Sequence, residues 1–229
     1  ERMVLGGKLY NSVSHDKMKK FLKHSLSISK RNTDDRTTLE ERWSTIYQNS
    51  QKSKFYSIIK NELDAMPKSK LVLEYGCSIG IMTSFLANSN QNVFGIDRSF
   101  SAISVAKKTQ KDNLDYFVAD LMSDVFGKTK FDLILALNVL ELVEPKDLLK
   151  YISQQILKGH FVISDPYDFD RGKNSVKKPL DELILRTSLE ELGFTISVKT
   201  KKPSYLTWNL KLNPRSTLNY KVDLIITKK

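Results

Sequence analysis

"LVLEYGCSIG", residues 71–80, decides how the rest of the chain reads. An apolar run meets an acid, Glu74, and gives way to small residues held between Gly76 and Gly80. In a doubly wound sheet the ligand lies beyond the carboxyl ends of the strands, and the loop after the first strand approaches it most closely. Glycine there removes the Cβ that would block backbone contact, and the helix that follows offers its amide groups. A dinucleotide turn would place glycines at 76, 78 and 81, where Ser78 and Ile81 interrupt the pattern. A phosphate-gripping loop would continue into Gly-Lys-Ser/Thr, which this stretch does not.

On either side of this loop the chain alternates between helical and strand patterns. "LEERWSTIYQNSQKSKFYSIIKNELD" reads as helix and "KLVLEY" as a short buried strand. Helix 79–89, strand "NVFGID", helix 99–110 and strands "LDYFVAD" and "FDLILALN" follow. Pro145 starts a further helix before strand "HFVIS", and a helix near 179–192 ends at Gly193 as its C′ residue. "FTISVKT" and "YKVDLIITKK" read as the last two strands; without a helix between them they pair antiparallel at one edge. The expected fold is α/β: a doubly wound, Rossmann-like, mixed seven-stranded sheet with an antiparallel C-terminal hairpin and helices on both faces.

The 229 residues suit one domain, 41–229, behind a basic N-terminal extension, 1–40. In the extension "VLGGKLYNS" reads as strand or loop and "DKMKKFLKHSLSISK" as an amphipathic helix, suited to packing on the body, to a lid or to a partner. No apolar run approaches the roughly 18 residues that span a bilayer, and no signal-peptide pattern opens the chain, so a cytoplasmic protein without membrane attachment is expected. The single cysteine, Cys77, excludes an internal disulfide, and with three scattered histidines the expectation is no bound metal. The net charge of +11 is uneven: residues 1–38 carry nine Lys/Arg against four Asp/Glu, and residues 199–229 carry eight against one. A near-neutral body with two basic ends attracts nucleic acid, an acidic protein or a small anion, or is merely solubilised by its lysines.

The order acid, any residue, Gly, Cys, small residue, any residue, Gly resembles the first motif of the class I S-adenosylmethionine-dependent methyltransferases. Later segments keep the register: "GIDRS" puts Asp97 17 residues beyond Gly80, "VADL" supplies Asp120, and "FDLILALNVLELVEP" is similar to the family's fourth strand and its continuation. The resemblance covers about residues 70–165. It implies S-adenosylmethionine as cofactor and S-adenosylhomocysteine as product, with Glu74 toward the ammonium, Asp97 on the ribose hydroxyls and Asp120 at the adenine amino group. Gly76, Cys77, Ser78 and Gly80 would form the loop, Arg98 and Leu121 flank the two aspartates, and Asn138, Val139 and Tyr47 line the cofactor. Trp43 and Tyr47, four apart on one helix face, either close over it or pack in the core. Ser78 departs from the family's middle glycine, and Leu142 stands where many relatives have histidine.

The acceptor pocket is expected between "SDPYDFDRG" and "KKPSYLTWNLKLNPRS", which follow the fifth and sixth strands. Asp165 and Tyr167 are the candidate catalytic residues, taking the acceptor's proton, and Tyr167, Arg171, Tyr205 and Trp208 the candidate acceptor contacts. His160, five residues and roughly 16 Å from the active edge at about 3.3 Å per residue, reads as structural. The expected activity is methyl transfer by in-line displacement to a small molecule or peptide, at nitrogen. The alternatives are an RNA methyltransferase whose basic ends track phosphate, and a non-catalytic cofactor-fold subunit of a partner enzyme. Neither oligomeric state nor acceptor identity is legible in the sequence.

Overall fold

The computed structural model describes residues 2–5, 8–11, 39–170 and 175–229. The helix expected in "DKMKKFLKHSLSISK" lies outside them. Two short strands, β1 (Arg2–Leu5) and β2 (Lys8–Asn11), precede α1 (Leu39–Asn49) and α2 (Lys54–Asp64). Then come β3 (Leu71–Tyr75), α3 (Ile81–Leu86), β4 (Asn92–Asp97), α4 (Phe100–Ala106), β5 (Leu114–Val118) and β6 (Leu133–Leu137). The chain closes with α5 (Pro145–Gln155), β7 (His160–Asp165), α6 (Glu182–Glu191), β8 (Thr195–Ile196), β9 (Tyr205–Asn213) and β10 (Ser216–Lys228).

The sheet runs β2-β1-β10-β7-β6-β3-β4-β5, with β8 and β9 on the other side of β10. Strands β5, β4, β3, β6 and β7 are parallel, and β10 enters antiparallel against β7, Asp223 facing Asp165 and Lys228 facing His160. Five parallel strands, the antiparallel β10 and its partner β9 make the expected seven-stranded core. β1 and β2 widen it, β1 pairing with Arg2 opposite Asn219.

The parallel strands are continuous apolar runs because helices cover both faces. Alternate residues feed two cores: Val72, Leu133, Leu135 and Val162 on the α1–α4 side, and Leu73, Ile134, Ala136 and Ile163 on the α5–α6 side. The switch of strand order lies between β3 and β6, which puts the loop 76–80 at the crevice.

Two segments fold differently from their sequence reading. The penultimate strand is not "FTISVKT", which gives only the two residues of β8, but Tyr205–Asn213, within the stretch expected as a pocket loop. Burial on alternate residues decides this: Trp208, Leu210 and Leu212 turn inward, whereas Val198 is 90% exposed and already in a 3-10 turn. The helix read through 40–64 is broken at Ser50–Ser53. There the Ser50 hydroxyl donates to Ile46 O and accepts from Lys211 N (2.8 Å), and the Ser53 hydroxyl accepts from Asn209 N (3.2 Å). The two serines thus satisfy the outward amides of β9 and pin the α1–α2 corner to it.

Candidate active site

The loop after β3 earns its shape from backbone conformation. Gly76 and Gly80 have φ +67° and +77°, and Ser78 between them also lies in the left-handed region at +49°. A Cβ on Gly76 would stand 2.3 Å from Val139 Cγ1, so only glycine lets the loop close against the end of β6. Asp97, ending β4, holds the loop from the other side: Oδ2 accepts from Ser78 N (2.9 Å) and Oδ1 from Ser99 N (2.8 Å). Burial pushes its carboxyl above the usual carboxylate range, and the amides of Ser99 and Ser78 pull it back. Glu74 is fully enclosed and accepts from the Thr83 hydroxyl; burial raises its pKa to about 8 despite that bond, and Asp97 adds to the rise. Burial likewise pushes the Cys77 thiol well up, so it stays a thiol, a small residue in a tight loop rather than a nucleophile.

Asn138, directly after β6, is left-handed too, at φ +57°, with its backbone amide donating to Ser164 O (2.7 Å) and its Oδ1 accepting from the Ser164 hydroxyl (2.9 Å). With Tyr167 at φ +55°, the non-glycine residues of positive φ among the described residues are three. They follow the carboxyl ends of β3, β6 and β7, and strain of this kind gathers where a ligand is to be met.

Beyond these strand ends lies a cavity of about 900 Å³, within the usual range of small-molecule sites. Glu74, Gly76, Cys77, Ser78, Asp97, Arg98, Asn138 and Val139 all line it, as does Tyr47. Helix α1 roofs it, tied at one end by the Ser99 hydroxyl donating to Glu40 (2.9 Å) and at the other by Ser50 on β9. Among the described residues its acids are Glu40, Glu74, Asp97 and Glu141 and its one cation is Arg98; no described lysine lines it.

Several expected site residues stand elsewhere. Gly80 caps α3 beside the cavity. Asp120 is exposed, one strand further along the sheet, accepting from Met122 N (2.9 Å), and Leu121 is buried in the core. Asp165 and Tyr167 do not line the cavity. Asp165 Oδ1 accepts from Tyr167 N (2.7 Å), and the Tyr167 hydroxyl donates to Asp223 Oδ2 (2.7 Å), itself bridged to Arg186 at 2.7 Å. Burial first, then this bond to a carboxylate, raises the Tyr167 hydroxyl far above the phenol range, so it takes up no proton. Tyr205 points away, donating to Glu182 on α6, whereas Trp208 lines the cavity. Arg171 lies outside the described residues. His160, at the far end of β7, stays a strand residue.

The cavity also gathers residues that the sequence reading passed over: Glu141, Phe55, Tyr56, Leu210, Tyr220 and Pro166. For Tyr220 a signal was present. "NPRS" at 213–216 is a turn between two alternating runs, and a hairpin through it sets Tyr220 opposite Trp208.

Residues 72–157 match the family model of the methyltransferase domain. That match covers β3 to α5, the part of the chain that carries the glycine loop. This part is similar to the methyltransferase domain family. A curated relative, the ubiquinone biosynthesis O-methyltransferase of Coxiella burnetii, is 33% identical over 96 residues, 40% of this chain and 41% of that protein. The chain therefore matches about two fifths of that relative's length. Among solved structures, the chain superposes on a Haloferax volcanii putative methyltransferase in complex with the Trm112 methyltransferase activator. The TM-score is 0.64 at 14% identity, over 84% of this chain and 98% of that one. The magnesium protoporphyrin IX methyltransferase of Synechocystis PCC 6803, solved with S-adenosylmethionine bound, gives 0.56 at 17% identity over 96% and 100%. These likenesses concern the fold.

Proposed function

We propose that this chain is an S-adenosylmethionine-dependent methyltransferase acting on a small molecule, and that the cavity beyond β3, β4 and β6 holds both cofactor and acceptor. The observation that carries it is the closed glycine loop with two acids, the buried Glu74 and the half-buried Asp97, lining one cavity at the switch of strand order. The donor set fits the cofactor. Each Asp97 oxygen accepts one amide and keeps a second lone pair for a ribose hydroxyl. Glu74 suits an ammonium, whose charge would draw its raised pKa down. Asp120 remains our assignment for the adenine amino group.

When bound, the cofactor supplies an electrophilic sulfonium methyl whose transfer leaves a neutral thioether. The chain's task is then positioning. Val139 and Asn138 fix the wall beside the loop, and the α1 roof with its aromatic side chains excludes water. The acceptor's proton needs a base facing the cavity; Asp165 and Tyr167 do not, so we assign that role to the carboxylate of Glu141. The acceptor atom is a neutral nitrogen or oxygen; the Coxiella relative, named an O-methyltransferase, supports including oxygen.

The RNA reading draws on one observation: Lys199, Lys201, Lys202, Lys211, Arg215 and Lys221 are exposed around β8–β10. The cavity's excess of carboxylates opposes it, since a phosphate chain entering would meet like charge. Incubation with S-adenosylmethionine labelled in the methyl group and a cell extract, followed by separation of RNA, protein and metabolites, tests both. Label in metabolites, lost with Asp97→Ala, is expected; label in RNA, falling steeply as salt rises, would transfer the assignment to RNA.

A further inference from the structure

The cavity residues divide into two chemical sets. The loop, Asp97 and Glu74 are polar and serve the cofactor reading. The remaining lining, otherwise largely aliphatic, includes an array of rings: Trp43 and Tyr47 on α1, Phe55 and Tyr56 on α2, Trp208 on β9 and Tyr220 on β10. The array is continuous. Trp43 and Tyr47 stack at 5.8 Å between centroids, Tyr47 and Trp208 at 6.0 Å with planes only 8° apart, and Trp208 meets Tyr220 at 5.7 Å and Phe55 at 5.5 Å. Ordinary core packing would bury such a set completely. Here Phe55, Tyr56, Trp208 and Tyr220 are buried, whereas Trp43 and Tyr47 are only half-buried, and all six residues line the cavity.

Trp43, Tyr47 and Trp208 are stacked and Phe55 and Tyr220 are tilted against Trp208, so the array presents an apolar, electron-rich ring surface to a ligand, which favours another planar ring. Among the described residues the acids bordering the same volume are Glu40, Asp97 and Glu141, with Glu74 largely protonated near neutral pH, against one guanidinium, Arg98, which stands next to Asp97 in the cofactor set. An anionic substituent on that ring would be desolvated near Glu141 with no lysine among the described residues to receive it. We propose that the aromatic half of the cavity is the acceptor subsite, and that it takes a planar aromatic ring bearing a neutral hydroxyl or amine and no phosphate or carboxylate. The identity of this ring as a methyl acceptor rests on the methyltransferase reading; its binding does not.

The chain holds two tryptophans, and both line this array, so indole fluorescence reports on the subsite directly. The full chain is titrated, with and without saturating S-adenosylhomocysteine, with 2-naphthol, with 2-naphthoate and with the saturated decahydro-2-naphthol. Quenching is corrected for probe absorption and checked by equilibrium dialysis. Saturable binding of 2-naphthol is expected, with the carboxylate and the non-planar analogue each at least about tenfold weaker. Trp208→Leu, which keeps apolar bulk, should weaken 2-naphthol by about tenfold and leave S-adenosylhomocysteine affinity within about threefold. Tyr220→Leu, on β10 opposite Trp208, gives the same comparison should Trp208→Leu fail to fold.

Equal binding of the three probes, tighter binding of the carboxylate, or no saturable binding of 2-naphthol to folded protein would overturn the subsite. If 2-naphthol binds as expected while S-adenosylhomocysteine does not, the subsite stands and the methyltransferase reading falls.

Discussion

The two halves of the cavity are built by different means. The loop half comes from one local stretch: Glu74, Gly76, Cys77, Ser78, Asp97 and Arg98 lie within 25 residues and are fixed by left-handed backbone at 76, 78 and 80 and by amide bonds to Asp97. The aromatic half is drawn from α1, α2, β9 and β10, residues 43 to 220, and is held by sheet register and two serine hydroxyls. A local device leaves a motif in the sequence; an assembled one leaves only alternation and turn signals. The first half should also fail abruptly when its backbone is disturbed, and the second gradually, ring by ring.

The largest effect should come from Gly76→Val. A β-branched residue at φ +67°, with its Cβ 2.3 Å from Val139 Cγ1, costs on the order of 3 kcal/mol and opens the loop. Thermal unfolding should shift down, and calorimetry should find no S-adenosylhomocysteine binding. Wild-type binding by this variant would break the distinction between the halves.

Asp97→Ala should come next, weakening S-adenosylhomocysteine by about 30-fold or more, the scale of a hydrogen-bonded charge. The substitution also strips an acceptor from Ser78 N and Ser99 N, so Asp97→Asn should recover part of the loss. 2-Naphthol binding should change little in either variant.

Glu74 gives the loop half a pH signature. Its pKa rises on folding from 4.5 to about 8, so between these values the folded protein holds a proton that the unfolded chain has released. The stability it contributes is therefore complete below about pH 4.5 and lost as pH rises through about 8. Thermal midpoints of the free protein should fall across that window, and Glu74→Gln should flatten the slope. A ligand ammonium draws out the carboxylate, so S-adenosylhomocysteine affinity should rise with pH over the same range in wild type alone.

Smaller effects separate the site from its frame. Tyr167→Phe removes one buried bond to Asp223 and should cost about 1 kcal/mol in urea unfolding, leaving both ligands' affinities unchanged. An equally stable variant with lost turnover would restore Tyr167 to the chemistry. Ser78→Gly relieves a left-handed serine and keeps the amide bond to Asp97, so stability should rise by a few tenths of a kcal/mol or stay level.

What the sequence showed follows the same division. The parallel strands, the order of acids after them and the glycine loop were legible because each depends on a few adjacent residues. The break at Ser50–Ser53 was not, because serines are tolerated in helices and these two act on amides of β9 more than 150 residues away. Asp165 and Tyr167 looked catalytic from their place after β7; their partners, Asp223 and Arg186, become visible only when β10 enters beside β7. Glu141 sits in a segment whose apolar neighbours suggest plain core, and only the turn after β6 aims it at the cavity.

The central claim is that the loop half of this cavity binds the cofactor. Calorimetric titration of the folded chain with S-adenosylhomocysteine near neutral pH tests it most directly. One site of micromolar affinity, absent in Gly76→Val and weakened in Asp97→Ala, is the predicted result; no heat from folded wild-type protein with either S-adenosylhomocysteine or S-adenosylmethionine would contradict it.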